Sequence, residues 1–120
     1  MTPEGRVKAK VNKYLTSIKE YVYWEMPVPT GYGKSGLDYT ICLAGRFVAI
    51  ETKAPGEWLT PRQRDRALDI LSKGGKVFVI SGPEGLAAFQ DWVKRWLYHC
   101  AVNTAGNPFP SLHSPGWLGK

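Results

Sequence analysis

Two apolar segments joined by a short turn constrain this chain more than any other feature. Asp38-Tyr39-Thr40-Ile41-Cys42-Leu43 runs into Ala44-Gly45-Arg46, and Phe47-Val48-Ala49-Ile50-Glu51-Thr52-Lys53 follows. Runs of this kind bounded by a Gly-containing turn read as paired strands, with strands at 38–43 and 47–53. Side chains alternate between faces along a strand, so Glu51 and Lys53 point one way and Ile50 and Thr52 the other. An acid and a base are thus held side by side at the end of an apolar strand, and a second acid, Asp38, opens the strand before it. Two carboxylates and one lysine at the edge of a sheet suit a hard divalent cation and an activated water. Taken singly, Glu51 and Lys53 also read as an ordinary same-face surface pair, and Asp38 as a turn-closing acid.

A chain of 120 residues fits one domain with a modest core. The expected division is a folded domain over residues 1–102 and a Pro/Gly-rich tail over 103–120, which holds three prolines and three glycines. The formal net charge of +6 favours a polyanionic partner such as nucleic acid, although many small soluble proteins are basic for no functional reason. Cys42 and Cys100 match no metal-ligand spacing, and Cys42, inside an apolar run, is expected to be buried. The polar, charged N-terminus is not a signal peptide, and no apolar run approaches the length of a membrane span. The simplest compartment for such a chain is a reducing cytoplasm.

Thr2-Pro3 has the chemistry of a helix start, and Val7, Val11, Tyr14, Leu15 and Ile18 recur at helical spacing, predicting an amphipathic helix over 3–20. A short strand over 21–26 follows, then a Gly-rich loop over 29–37 in which Lys34 and Ser35 offer donors. The Gly33-Lys34-Ser35 string is not a phosphate-binding Walker loop, because Val28 stands where the first glycine would have to be. Thr60-Pro61 repeats the helix start and predicts a helix over 61–73 with Ala67, Leu68, Ile70 and Leu71 toward the core. Gly74-Gly75 ends it, and Lys76–Ile80 reads as a buried, central strand. A last helix runs from Pro83 to about Tyr98, with Leu86, Phe89, Val93, Trp96 and Leu97 as its buried stripe. Pattern alone gives an α/β protein with a mixed sheet.

Four stretches, Thr2-Pro3-Glu4-Gly5, Gly33-Lys34-Ser35-Gly36-Leu37-Asp38-Tyr39, Glu51-Thr52-Lys53-Ala54 and Thr60-Pro61-Arg62-Gln63, occur in an order that resembles the PD-(D/E)XK nuclease superfamily, and within it the VRR-NUC branch of small nucleases common in phages. The likeness covers about residues 2–81, and Leu37 replaces the superfamily's proline before the aspartate. It implies a restriction-endonuclease-like αβββαβ core. It implies that Asp38 and Glu51, with the backbone carbonyl of Thr52, hold Mg²⁺ or Mn²⁺, and that Lys53 polarises the attacking water. Glu4 is implied as a further metal-site carboxylate, against the plainer reading that it favours the positive end of its helix. Gln63 is implied to orient water or substrate, against the reading of a solvated first-turn residue. Lys34, Ser35, Arg62, Arg66, Lys8 and Lys10 are the candidate phosphate contacts.

The activity so implied is a metal-dependent, structure-selective DNA endonuclease, resembling a Holliday-junction resolvase that works as a homodimer on branched DNA. Tyr21, Tyr23 and Trp24, or the tail with Trp117, are candidates for the dimer surface. The alternatives are a general, flap or nicking phage nuclease, a non-catalytic DNA-binding module of the same fold, and a small protein-interaction factor whose charge is incidental.

Overall fold

The structure is a computed structural model that describes residues 1–28 and 36–103. Its elements follow in the order α1 (Pro3–Ser17), β1 (Val22–Glu25), β2 (Tyr39–Leu43), β3 (Arg46–Thr52), α2 (Pro61–Ser72), β4 (Lys76–Ile80) and α3 (Pro83–Asn103). The sheet has the order β1-β2-β3-β4, antiparallel across the first two pairs and parallel between β3 and β4. This is the mixed sheet of a restriction-endonuclease-like αβββαβ core, with α3 added.

Each element begins with the residues its chemistry requires. The Thr2 hydroxyl accepts from the Gly5 amide at 3.0 Å and caps α1, with proline in the first turn. Thr60 caps α2 in a full capping box with Gln63. The β2–β3 hairpin pairs Leu43 with Arg46, which leaves a two-residue turn of Ala44 and Gly45. Both adopt positive φ, 46° and 86°, the conformation that a tight hairpin turn needs to follow the twist of its strands. Gly45 accepts this freely, whereas Ala44 carries a Cβ into the left-handed region.

The core lies on one face of the sheet. Val11 and Leu15 of α1 and Phe89 and Val93 of α3 pack on Tyr39, Ile41, Leu43, Val48 and Ile50. Tyr39 ties helix to sheet a second way: its hydroxyl donates to Asn12 Oδ1 at 2.6 Å. Trp96 Nε1 donates to the Leu43 carbonyl at 2.8 Å and anchors α3 beside the hairpin turn. Arg46 lies over the parallel rings of Trp92 and Trp96, 5.8 and 5.3 Å from their centroids. Among the described residues the other face carries α2, with Ala67 as its buried residue.

Several expectations are corrected. The first helix stops at Ser17 rather than residue 20, where Ser17 and Thr16 hydroxyls turn back onto main-chain carbonyls and compete with further helix. The last helix continues past Tyr98 to Asn103, because Cys100 is still buried on its inner stripe. The strand Lys76–Ile80 is not central but an edge strand. It is apolar because helices α2 and α3 both lie against it. Cys42 is exposed, since it falls on the opposite face from Ile41 and Leu43. Leu68 and Leu71 of α2 are 54% and 48% exposed rather than directed to the core. Trp24 packs against the core and Tyr39, so of the three β1-region aromatics only Tyr21 and Tyr23 stand out from the surface. The tail from 104 onward lies outside the described residues.

The turn makes a direct prediction. Replacing Ala44 with Asn, which tolerates positive φ, should stabilise the protein by about 0.5–1 kcal/mol in urea unfolding. Phe89→Ala, at a fully buried ring, should cost roughly 3–5 kcal/mol in the same measurement.

Candidate active site

The hairpin register brings the site together. Tyr39 lies opposite Ile50, so Asp38, just before β2, lies beside Glu51, near the end of β3. The Asp38 amide donates to Glu51 Oε1 at 3.0 Å across thirteen residues of sequence. In return the Thr52 amide and hydroxyl both donate to Asp38 Oδ2, at 2.9 and 2.5 Å. Each carboxylate is therefore held by the strand that bears the other. A shift of one residue in pairing would turn Glu51 to the opposite face and undo both contacts.

The two helices complete the frame. Gln63, in the first turn of α2, donates from Nε2 to Glu51 Oε2 at 3.0 Å, and its Oε1 accepts from the Thr60 amide at 3.0 Å. One amide side chain thus both closes the capping box and fixes a carboxylate. Lys53 Nζ stands 4.0 Å from Glu51 Oε2 and is largely buried. On the other side, Lys8 of α1 reaches both Glu4, at 3.3 Å, and Asp38 Oδ1, at 3.7 Å. Burial would lower the Lys8 pKa, but Asp38 and Glu4 outweigh it and raise it above its ordinary value.

Glu51 is the buried charged residue among the described residues, with 4% of its surface exposed. Burial first, and the neighbouring Asp38 second, push its pKa up to about 7. Two carboxylates forced together at the closed end of a sheet, with the nearest ammonium groups at 3.7 and 4.0 Å, form a donor set that a hard divalent cation would satisfy. Among the described residues no three His, Cys, Asp or Glu side chains gather around one point, and Glu4 is paired with Lys8. The protein would thus offer two carboxylates, with waters and substrate oxygens filling the remaining positions. That is the usual manner of Mg²⁺, so the residues present fit such an ion.

The candidate residues fall into three groups. Asp38, Glu51, Thr52, Lys53 and Gln63 are brought together, and Glu4 joins them only through Lys8. Lys8 itself belongs to the acidic cluster instead of standing free for a phosphate. Lys10 is exposed on α1, and Arg62 is exposed at the start of α2. Arg66 is half-buried one turn beyond Gln63, and its Nε has no hydrogen-bond partner. Lys34 and Ser35 lie outside the described residues. Sequence reading gave Thr52 a role through its carbonyl and missed its side chain, the tightest anchor of Asp38. Its alternation opposite Glu51, toward the interior, was the available signal.

No protein-family model matches the sequence, and neither does any curated protein. Among solved structures the chain is similar to a VRR_NUC domain, at 19% identity and a TM-score of 0.58, over 82% of this chain and 98% of that one. The chain therefore has a VRR_NUC-type nuclease fold. Among the described residues, no helix is long and apolar enough to cross a membrane.

The raised Glu51 pKa has a definite sign. Below about pH 4.5 the carboxyl is protonated in both folded and unfolded chains and has no effect on stability. As pH rises to about 7 the unfolded chain ionises first, so the folded state of the metal-free protein loses up to roughly 3 kcal/mol. Urea midpoints measured from pH 4 to 8 should fall across that window, and Glu51→Gln should flatten the curve.

Proposed function

We propose that this VRR_NUC-type fold carries a metal-dependent, structure-selective DNA endonuclease, with the work done at the end of β3. The observation that carries the reading is the reciprocal lock between Asp38 and Glu51, with Lys53 beside it. Such an arrangement holds two carboxylates at fixed separation without any ligand, which is the preorganisation that phosphodiester hydrolysis needs.

In this reading Asp38 and Glu51 hold Mg²⁺ or Mn²⁺, with the Thr52 carbonyl as a further donor. The cation supplies Lewis-acid neutralisation of the phosphate charge. Lys53 holds the attacking water and offsets negative charge developing on the phosphate oxygens. Gln63 keeps Glu51 in its rotamer, Thr52 does the same for Asp38, and Lys8 steadies the cluster from α1. Glu4 acts through Lys8 instead of directly. Arg66, with its unsatisfied Nε, and Arg62, Lys10, Lys34 and Ser35 are the phosphate contacts.

A net charge of +6 supports DNA as the partner. Among the described residues the chain adds no recognition element to its core, which favours selection by DNA shape over selection by sequence. The finer reading is cleavage of four-way junctions by a homodimer acting in the cytoplasm, with exposed Tyr23 of β1 and Tyr21 just before it as candidate dimer-surface residues. Cleavage of flaps or nicked duplex by a phage-type enzyme is the alternative.

The test is a cleavage panel of linear, nicked, flap and four-way DNA with Mg²⁺ or Mn²⁺. Lys53→Ala should lower the rate by about 10²–10⁴-fold while DNA binding persists. Gln63→Ala should slow cleavage and also lower stability by about 1 kcal/mol, because it opens the capping box. DNA binding by the native chain with no cleavage of any substrate would favour a binding module, and symmetric cuts in the four-way substrate alone would favour a resolvase.

A further inference from the structure

A groove runs between α1 and α3 on the side of α1 turned away from Glu4 and Lys8. Its near part is a cavity of about 180 Å³ whose lining includes Arg6, Lys10, Pro55, Ile80 and Leu86. A second hollow, of about 290 Å³, continues from it and is lined by Lys10, Lys13, Tyr14 and Leu86. Lys10 and Leu86 belong to both linings, so the two hollows adjoin along the groove. The near end lies at the same end of the sheet as the candidate active site, on the opposite face from the Glu51 and Lys53 side chains: Pro55 and Ile80 line it, and the Ile80 carbonyl accepts from the Lys53 amide at 3.0 Å.

The chemistry of the walls is divided along the groove. Arg6, Lys10 and Lys13 stand at i, i+4 and i+7 of α1, which puts them in one row with about 5–6 Å between neighbours. Among the described residues none of the three has an ion-pair partner, whereas Lys8, on the far side of α1, has two. The floor between the helices is apolar, with Ile80, Pro55 and Leu86 at the near end and the half-buried ring of Tyr14 farther on. A row of cations at nucleotide-like intervals above an apolar and aromatic floor is the design of a site for a single strand, with phosphates on the cations and bases on the floor.

We infer that the α1–α3 groove binds a short single-stranded DNA segment, two to three nucleotides long, leaving the cleavage site at a branch. The inference rests on the nuclease reading and, within it, favours the flap alternative over the fully paired four-way junction, because it asks for one strand unpaired next to the scissile phosphate.

Binding is measured in Ca²⁺ or EDTA, without cleavage, on duplexes that carry single-stranded branches of zero to six nucleotides. Affinity should rise about tenfold with branch length and level off at three nucleotides. In Lys10→Gln/Lys13→Gln that rise should be lost, and the dependence of log affinity on log salt for the branched DNA should fall by about 1.4, at about 0.7 per single-strand phosphate. Lys73→Gln/Arg95→Gln, with the same change in charge on exposed ion pairs elsewhere, should keep the rise. An affinity indifferent to branch length, or an equal loss in both variants, would overturn the groove. Cleavage of DNA without preference for a branch would overturn the groove and leave the nuclease reading standing. Branch-dependent binding with no cleavage of any DNA would support the groove and remove the nuclease reading.

Discussion

Everything at the candidate site depends on the pairing of β2 with β3. The hairpin closes through a two-residue turn that forces Ala44 into the left-handed region, and that closure fixes which residues face each other six positions away. At the far end the register delivers the Asp38 amide to Glu51 and the Asp38 carboxylate to Thr52. The backbone groups beyond the regular ladder are thus satisfied by acidic side chains, and those side chains lose their freedom in the exchange. Placement of the two carboxylates is a property of sheet register, so it does not require a ligand to assemble it.

The surrounding charges follow from that placement. A buried Glu51 beside Asp38 is electrostatically unfavourable in isolation, and the chain answers with Lys53 on one side and Lys8 on the other. Neither ammonium comes within hydrogen-bonding distance of Asp38 or Glu51. A tighter pair would neutralise the acids and leave nothing for a cation or a phosphate to meet. Lys8 is shared between Asp38 and Glu4, which spreads one positive charge over two acids and keeps the first turns of α1 against the sheet.

Much of this was legible in the residues. Alternation in Phe47–Lys53 placed Glu51 and Lys53 together, and Thr-Pro pairs marked both helix starts. The edge position of β4 was not legible, because helices on both faces make an edge strand as apolar as a central one. The exposure of Cys42 was within reach: alternation from Ile41 and Leu43 assigns it to the open face, but the apolar run around it masked the period. The partnership of Lys8 with Asp38 joins a helix to a strand start thirty residues later, and no local pattern encodes such a meeting.

Gln63 binds two tasks into one side chain. Its oxygen holds the start of α2 closed while its nitrogen steers Glu51, so the helix cannot fray at that end without releasing the carboxylate. The amide's planarity makes the coupling rigid, because rotating one end rotates the other. Shortening Gln63 to Asn would set the two partners in competition for a reach that no longer spans both. The onset of a helix and the aim of an acid are here a single mechanical element, and neither is free to drift while the other stays put.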